Sequence, residues 1–304
     1  EAREQMQRGE IYAFVVIPAD FEKKLQSGRR PQITFYVNDT YLIPGSLALK
    51  DLSFMSQLTS VSVQKNVLEA RGIVNYNEQM AILQPVALDS HMVANPWGNY
   101  GVYLINMLLP GVLQLVIIMM TIFMLGMELK MHTSREWMQK SGNSVWIALT
   151  GKLLPYTILF TLLGIAGNLV LYRFMYFPLH GSLGWMCLAT FLYVLANQAI
   201  GIFIIGLFPE IRDAISLGAF YGLLGFTFAG FTFPIEAMPS SVQIFAWFFP
   251  MRHYFMIYGN IALNGADISY SFLSFVLLSA FLILPFLVLN RFKKASVNST
   301  YPAK

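Results

Sequence analysis

The stretch Gly225–Gly265, GFTFAGFTFPIEAMPSSVQIFAWFFPMRHYFMIYGNIALNG, decides how the rest of the chain is read. It opens as the end of an apolar run and is then interrupted at Pro234, Pro239 and Pro250. These prolines forbid one continuous helix, because each lacks the N–H of the helical ladder. Yet Phe245, Trp247, Phe248, Phe249, Tyr254, Phe255 and Tyr258 keep the segment as apolar as a membrane span. Irregular backbone at membrane depth persists only where protein buries it or where it lines a water-filled cavity. The segment is therefore expected to dip into or lie along a membrane boundary between two spans.

Composition supports this reading. Of 304 residues, 56% are hydrophobic and 12% charged, half the charged share of about 25% usual for soluble domains. Residues 1–100 hold 9 Lys/Arg against 10 Asp/Glu, and residues 101–304 hold 11 against 6. The net charge of +4 thus arises in the apolar part, where it reports topology rather than nucleic-acid binding. One cysteine, Cys187, excludes a disulfide framework, and the four histidines lack metal-ligand spacing.

Residues 1–100 read as a small α+β domain. Ile11–Ile17 is strand-like, Ala19–Gln26 helical, and Ile33–Val37 a second strand; a helix is expected over 46–71 and a third short strand at 86–88. Five apolar stretches follow, near 103–126, 153–172, 183–207, 214–233 and 270–290, each close to the ~20 residues a spanning helix needs. The 127–152 connection carries Lys130, Arg135, Lys140 and Lys152, the 208–213 connection Arg212, and the end Arg291, Lys293 and Lys294. The 174–182 loop has no Lys or Arg. Positive-inside asymmetry then places 127–152, 208–213 and the C-terminus in the cytoplasm, and residues 1–100 outside. The chain opens at Glu1 and runs straight into a polar region. A first span is expected to precede it, giving six in the intact chain.

Several motifs follow a recognisable order. Gly230-Phe231-Thr232-Phe233-Pro234-Ile235-Glu236-Ala237-Met238-Pro239, then Phe249-Pro250, then Ala262-Leu263-Asn264-Gly265, resemble the membrane subunit of ABC-2 type exporters. Gly9–Phe21 likewise resembles permeases of that family with a large domain between spans one and two. The resemblance implies an α-helical polytopic membrane protein of the bacterial inner membrane. Such a protein would have an extracytoplasmic α+β domain (1–100), an ABC-2 transmembrane domain (101–295) and a cytoplasmic tail (296–304). It further implies an ATPase-coupling helix over Glu128–Met138, with Glu128, Thr133, Ser134, Arg135, Glu136 and Trp137 as its candidate residues. His132 stands where the family usually has glycine. Apolar Trp137 and Met138 would anchor docking while Arg135 and Glu136 supply charge.

Gly230, Phe231, Pro234, Glu236, Met238, Pro239 and Pro250 mark the broken outer segment. Asn168, Asn197 and Gln198 are costly inside spans, so they are candidates for a transport pathway or for helix packing. Asn106 and Gln114 join them, and Gly218-x-x-x-Gly222 is a candidate close-packing face. No phosphate-binding loop occurs, since Gly151-Lys152 lacks the upstream glycine and the following Ser/Thr. No catalytic residues or cofactor are expected in this chain; ATP and Mg²⁺ would bind a separate ATPase subunit. The expected partners are that ATPase, a second permease in a homo- or heterodimer, membrane lipids and, by family analogy, a periplasmic adaptor. The expected activity is ATP-driven export of a hydrophobic or amphipathic, drug-like or lipid-like cargo from the cytoplasm or inner leaflet. The alternative is a non-transporting membrane protein whose external domain binds a partner.

Overall fold

The computed structural model describes residues 1–8, 10–27, 32–38, 46–57, 87–93, 100–231 and 233–298. The chain divides into two compact units, Glu1–Tyr100 and Gly101–Lys304.

In the first unit, α1 (Ala2–Gln7), β1 (Ala13–Val16), α2 (Phe21–Gln26), β2 (Gln32–Asn38), a helix over 46–57 (α3) and β3 (Ala87–Val93) follow in order. The sheet order is β1-β2-β3. β1 runs antiparallel to β2, with Ala13 opposite Val37, and β3 runs parallel to β2, with Gln32 opposite Ala87. A parallel pair needs a long crossover, and the 39–86 connection that contains α3 supplies it. Phe35 and Val37 on β2 and Met6 on α1 are buried, and Asn38 Nδ2 donates to Met6 O at 3.3 Å. The expected helix over 46–71 is helical over 46–57, and its remainder lies outside the described residues. The third strand is longer than expected, since β2 offers it seven consecutive partners.

In the second unit, four helical stretches among the described residues are long and apolar enough to cross a membrane. They are Tyr100–Lys130, Val145–Phe174, Leu183–Leu207 and Ile268–Val297. They correspond to α4 (Tyr100–Lys130), α6 (Val145–Leu169, running into a π turn to Phe174), α7 (Leu183–Leu207), and α11 (Phe272–Ala280) with α12 (Leu284–Asn298) and their 3₁₀ turns. The fifth expected stretch, 214–233, is α8 (Ile211–Phe228). It starts earlier, at a first turn holding Arg212 and Asp213, and stops earlier, because the chain turns at Gly230. Its 18 residues extend roughly 27 Å at 1.5 Å per residue. The last helix continues through Ser296 to Asn298, past the expected boundary at 295.

α7 is the central helix and the most deeply buried of the long ones. α8 packs closely on α4: a Cβ at Gly218, Gly222 or Gly225 would overlap Ile122, Leu115 or Gln114 respectively. These positions, i, i+4 and i+7, lie on one helix face, so the small-residue pair noted in the sequence extends to a third member. Between α8 and α11 the prolines begin helices rather than only ending them. Pro234 precedes the 3₁₀ turn Ile235–Ala237, Pro239 caps α9 (Ser240–Ala246), and Pro250 is the first residue of α10 (Pro250–Ile257). A leading proline is favoured because its fixed φ suits the first turn, where the missing N–H costs nothing.

Candidate functional site

Three groups of residues carry the functional reading, and the first is the turn after α4. α4 ends in a Schellman motif: Thr133 N–H donates to Glu128 O at 3.1 Å and His132 N–H to Leu129 O at 3.3 Å. His132 occupies the left-handed position, with φ 57°. That is the conformation glycine adopts without penalty, so the backbone accounts for the glycine usual at this place in the resembling family. The chain then enters α5 (Ser134–Lys140). Seven residues cannot hold a helix alone in water, and tertiary contacts fix this one. Ser134 Oγ, fully buried, donates to Ser296 O on α12 at 2.7 Å. Met138 is buried among Leu125, Leu129, Leu149 and Phe292. The Trp137 ring packs edge-on against Phe292, with centroids 6.4 Å apart, and Lys152 Nζ lies 5.3 Å from its centroid. Lys152 also pairs with Glu128, which accepts a further hydrogen bond from Thr133 Oγ1.

The candidate coupling residues thus separate into two sets. Glu128, Thr133, Ser134 and Trp137 hold the short helix to α4, α6 and α12. Arg135 and Glu136 are exposed, together with Gln139 and Lys140. The expectation of Trp137 and Met138 as an external docking anchor does not match this arrangement. Met138 is in the core and Trp137 is half-buried against the protein's own helices.

The broken segment forms the second group. Gly230, with φ 81°, turns the chain where a Cβ would approach Ile235 at 3.0 Å and Arg252 Nη1 at 3.1 Å. Phe231 is buried and stacks on Tyr103 at 4.1 Å. Glu236, whose side chain is 53% exposed, accepts from Arg252 Nη2 at 3.3 Å. Arg252 is itself buried and lies over the Trp247 ring at 5.9 Å. Beside it, His253 is buried and hydrogen-bonds Trp247 O at 3.0 Å. Burial pushes its imidazole below the ordinary value and the Arg252 charge adds to that, while the bond to Trp247 opposes it. Met238 O accepts from Gln243 Nε2 at 2.9 Å, which ties the Pro239 corner to α9.

The third group is polar and lies among the long helices. Gln114 Nε2 on α4 donates to Gly222 O on α8 at 3.1 Å. Tyr193 OH on α7 lies 3.0 Å from Pro110 O and 3.2 Å from Gln114 Oε1. The Tyr193 ring stacks on Tyr254 of α10 at 4.6 Å. Asn168 Nδ2 of α6 donates to Thr190 Oγ1 at 3.0 Å and to Tyr254 OH at 3.3 Å. All of these side chains are buried, so one polar and aromatic seam joins α4, α6, α7, α8 and α10. Gln198 is not part of it, and Asn197 meets it only at Tyr193. Asn197 Nδ2 returns to Tyr193 O at 2.8 Å within α7, and Gln198 Oε1 accepts from Thr157 Oγ1 of α6 at 2.8 Å. The three asparagine and glutamine candidates therefore do not line one path. Sequence reading passed over Tyr193, Thr157 and Thr190 and took Tyr254 only as one of the apolar aromatics, because tyrosine and threonine are unremarkable in apolar helices.

The family model for ABC-2 family transporter protein matches residues 1–289, nearly the whole chain. The chain belongs to the ABC-2 transporter family. Two curated relatives, each described as a probable multidrug ABC transporter permease, YbhR, come from Escherichia coli (strain K12) and Escherichia coli O157:H7. Each is 23% identical over 276 residues, covering 88% of this chain and 69% of the relative. No solved structure matches. An ABC-2 family permease is the membrane subunit, hence the transport component, of an ABC transporter and is not itself the ATPase. The family accordingly implies an ATPase partner and a pairing of permeases.

Proposed function

We propose that this ABC-2 permease is the membrane half of an ATP-driven exporter, working as a dimer with two separate ATPase chains. One observation carries the reading. The short helix α5 is fastened to three long helices by Glu128, Ser134, Trp137 and Met138, while Arg135, Glu136, Gln139 and Lys140 face outward. A helix so held transmits a push on its exposed face directly to α4, α6 and α12, as a coupling element to an ATPase must. The cluster Lys130, Arg135, Lys140 and Lys152 supports a cytoplasmic position for this turn, with the C-terminus on the same side and residues 1–100 outside. In this topology α8 is a fifth span. ATP and Mg²⁺ bind the partner ATPase.

The cargo is hydrophobic or amphipathic, drug-like or lipid-like, and leaves the cytoplasm or inner leaflet of a bacterial inner membrane. The apolar, methionine- and phenylalanine-rich helices support this, since thioethers and rings repack around varied shapes. The multidrug description of the E. coli relatives agrees. A periplasmic adaptor is a further expected partner. The test is to purify the tagged intact protein from its native membrane and to follow efflux of a fluorescent apolar dye in the same cells. The reading expects an ATPase chain in the purified complex and dye efflux that stops when its nucleotide site is disabled. A complex with no ATPase, and efflux indifferent to the protein, would overturn it.

A further inference from the structure

Arg252 is the one permanently charged side chain that is buried among the described residues. A buried charge is costly unless it is paired and its hydrogen bonds are made, and the pairing here is thin. A guanidinium carries five N–H donors. Among the described residues only Nη2 finds an acceptor, Glu236 Oε1 at 3.3 Å, a long single contact to a carboxylate that is 53% exposed. Ion pairs with so exposed a partner contribute little. Nε and Nη1 make no hydrogen bond there, and neither is sealed from the surface. Gly230 keeps Nη1 open, since a Cβ at that position would stand 3.1 Å from it. The guanidinium lies over the Trp247 ring at 5.9 Å.

Two further features define what answers these donors. Arg252 stands in the first turn of α10, where the partial positive charge of a helix N-terminus adds to its own. A planar fork of donors in that field suits a carboxylate or a phosphate. The turn before it is apolar and open, with Ile244, Phe245 and Phe248 each more than half exposed. A free inorganic anion gains nothing from that surface, whereas an alkyl chain laid on it leaves water. We propose that Arg252 is the head-group site for an anionic amphiphile, a carboxylate or phosphate on an apolar tail, which displaces Glu236 and lays its tail along 244–248. Glu236 holds the guanidinium until a head group replaces it. Two sources share this chemistry, a membrane lipid and a molecule in transit, and only the second rests on the export reading above.

A palmitate carrying a diazirine in its tail is a suitable probe. The intact protein, purified with its partner chains into phosphatidylcholine nanodiscs, is irradiated over a range of probe concentrations and the labelled peptides are mapped. Mildly alkaline pH keeps the carboxylate ionised. Saturable labelling is expected within 240–249. Dodecyl phosphate should compete, while dodecanol and inorganic phosphate at the same concentrations should not. Arg252→Gln should weaken half-saturation about 10-fold or more, the range for a hydrogen bond to a charged group. Glu236→Gln removes the competing carboxylate and should tighten half-saturation about 2- to 5-fold, a gain that a merely structural ion pair does not produce. Labelling linear in dose, or half-saturation unchanged in both variants, would overturn the site. Competition by inorganic phosphate as strong as that by dodecyl phosphate would overturn the part given to the tail. Displacement of the probe by phosphatidylglycerol assigns the head group to a membrane lipid; no displacement, with the probe released on ATP turnover, assigns it to a molecule in transit. Absence of an ATPase from the complex would instead remove the export reading and leave saturable labelling standing, so the two fail separately.

Discussion

Replacing Glu128 tests how α5 is held. Glu128 and Lys152 have side chains 21% and 22% exposed, between the surface regime, where a pair contributes about 0–1 kcal/mol, and the buried one, where loss of a partner costs about 3–5 kcal/mol. Glu128→Gln keeps an acceptor for Thr133 Oγ1 and Lys152 Nζ but removes the charge, and a loss of about 1–2 kcal/mol is expected. Glu128→Ala also removes both acceptors and leaves the Lys152 ammonium with the Trp137 ring, an attraction of about 0.5–1 kcal/mol; the loss should then approach 3 kcal/mol. Because α5 is too short to stand alone, this energy appears as local opening. Hydrogen exchange at Trp137 N–H, bonded to Thr133 O at 3.0 Å, and at Ser141 N–H, bonded to Trp137 O at 3.2 Å, reads it directly. Exchange should accelerate about 5- to 30-fold in Glu128→Gln, at 1.4 kcal/mol per factor of ten, and further in Glu128→Ala. Unchanged protection in both variants would refute the account of how this helix is fastened.

Three other outcomes follow from single features. His132→Gly should stabilise the purified protein by about 1 kcal/mol, seen as a higher unfolding temperature, because the left-handed position strains a residue with Cβ. Tyr193→Phe deprives Pro110 O and Gln114 Oε1 of a donor and should cost about 1–3 kcal/mol in a denaturant titration; equal stability would contradict the seam joining α4 and α7. His253 is held neutral by burial, with its folded pKa below the unfolded value near 6.5. The unfolded state therefore binds more protons once pH falls below about 6.5, and stability should decline with acidification there. His253→Gln should flatten that part of the unfolding-temperature profile.

Local rules made much of the fold legible. The strands at 11–17 and 33–37 announce themselves by β-branched and aromatic runs, and the long helices by length and apolarity. The turn at 131–133 was not legible: one helix was expected over Glu128–Met138, and the chain instead breaks at His132, with φ 57°, between Lys130 and Ser134. Membrane-type helices are less informative about their faces. Lipid-facing and protein-facing sides are both apolar, so no periodicity told that Trp137 turns inward onto Phe292 or that Tyr193 meets Gln114, 79 residues away. The ion pairs Glu128–Lys152 and Glu236–Arg252 join residues on different elements, and charge spacing within one helix could not reveal them. Prolines 234, 239 and 250 were visible as interruptions, but that each begins a new short helix depends on the residues packed behind it.

The central claim is that the exposed face of α5 meets an ATPase, and site-directed crosslinking tests it most directly. Single cysteines at Arg135 and Gln139, in a Cys187→Ser background, are treated with a short thiol-to-amine crosslinker in native membranes, and the products are identified by mass spectrometry. Crosslinks from both positions to one ATPase chain, strengthened or weakened by ATP, are the predicted result. Crosslinks from either position only to lipid or to this chain, with an ATPase present in the membrane and crosslinked elsewhere on the protein, would contradict it.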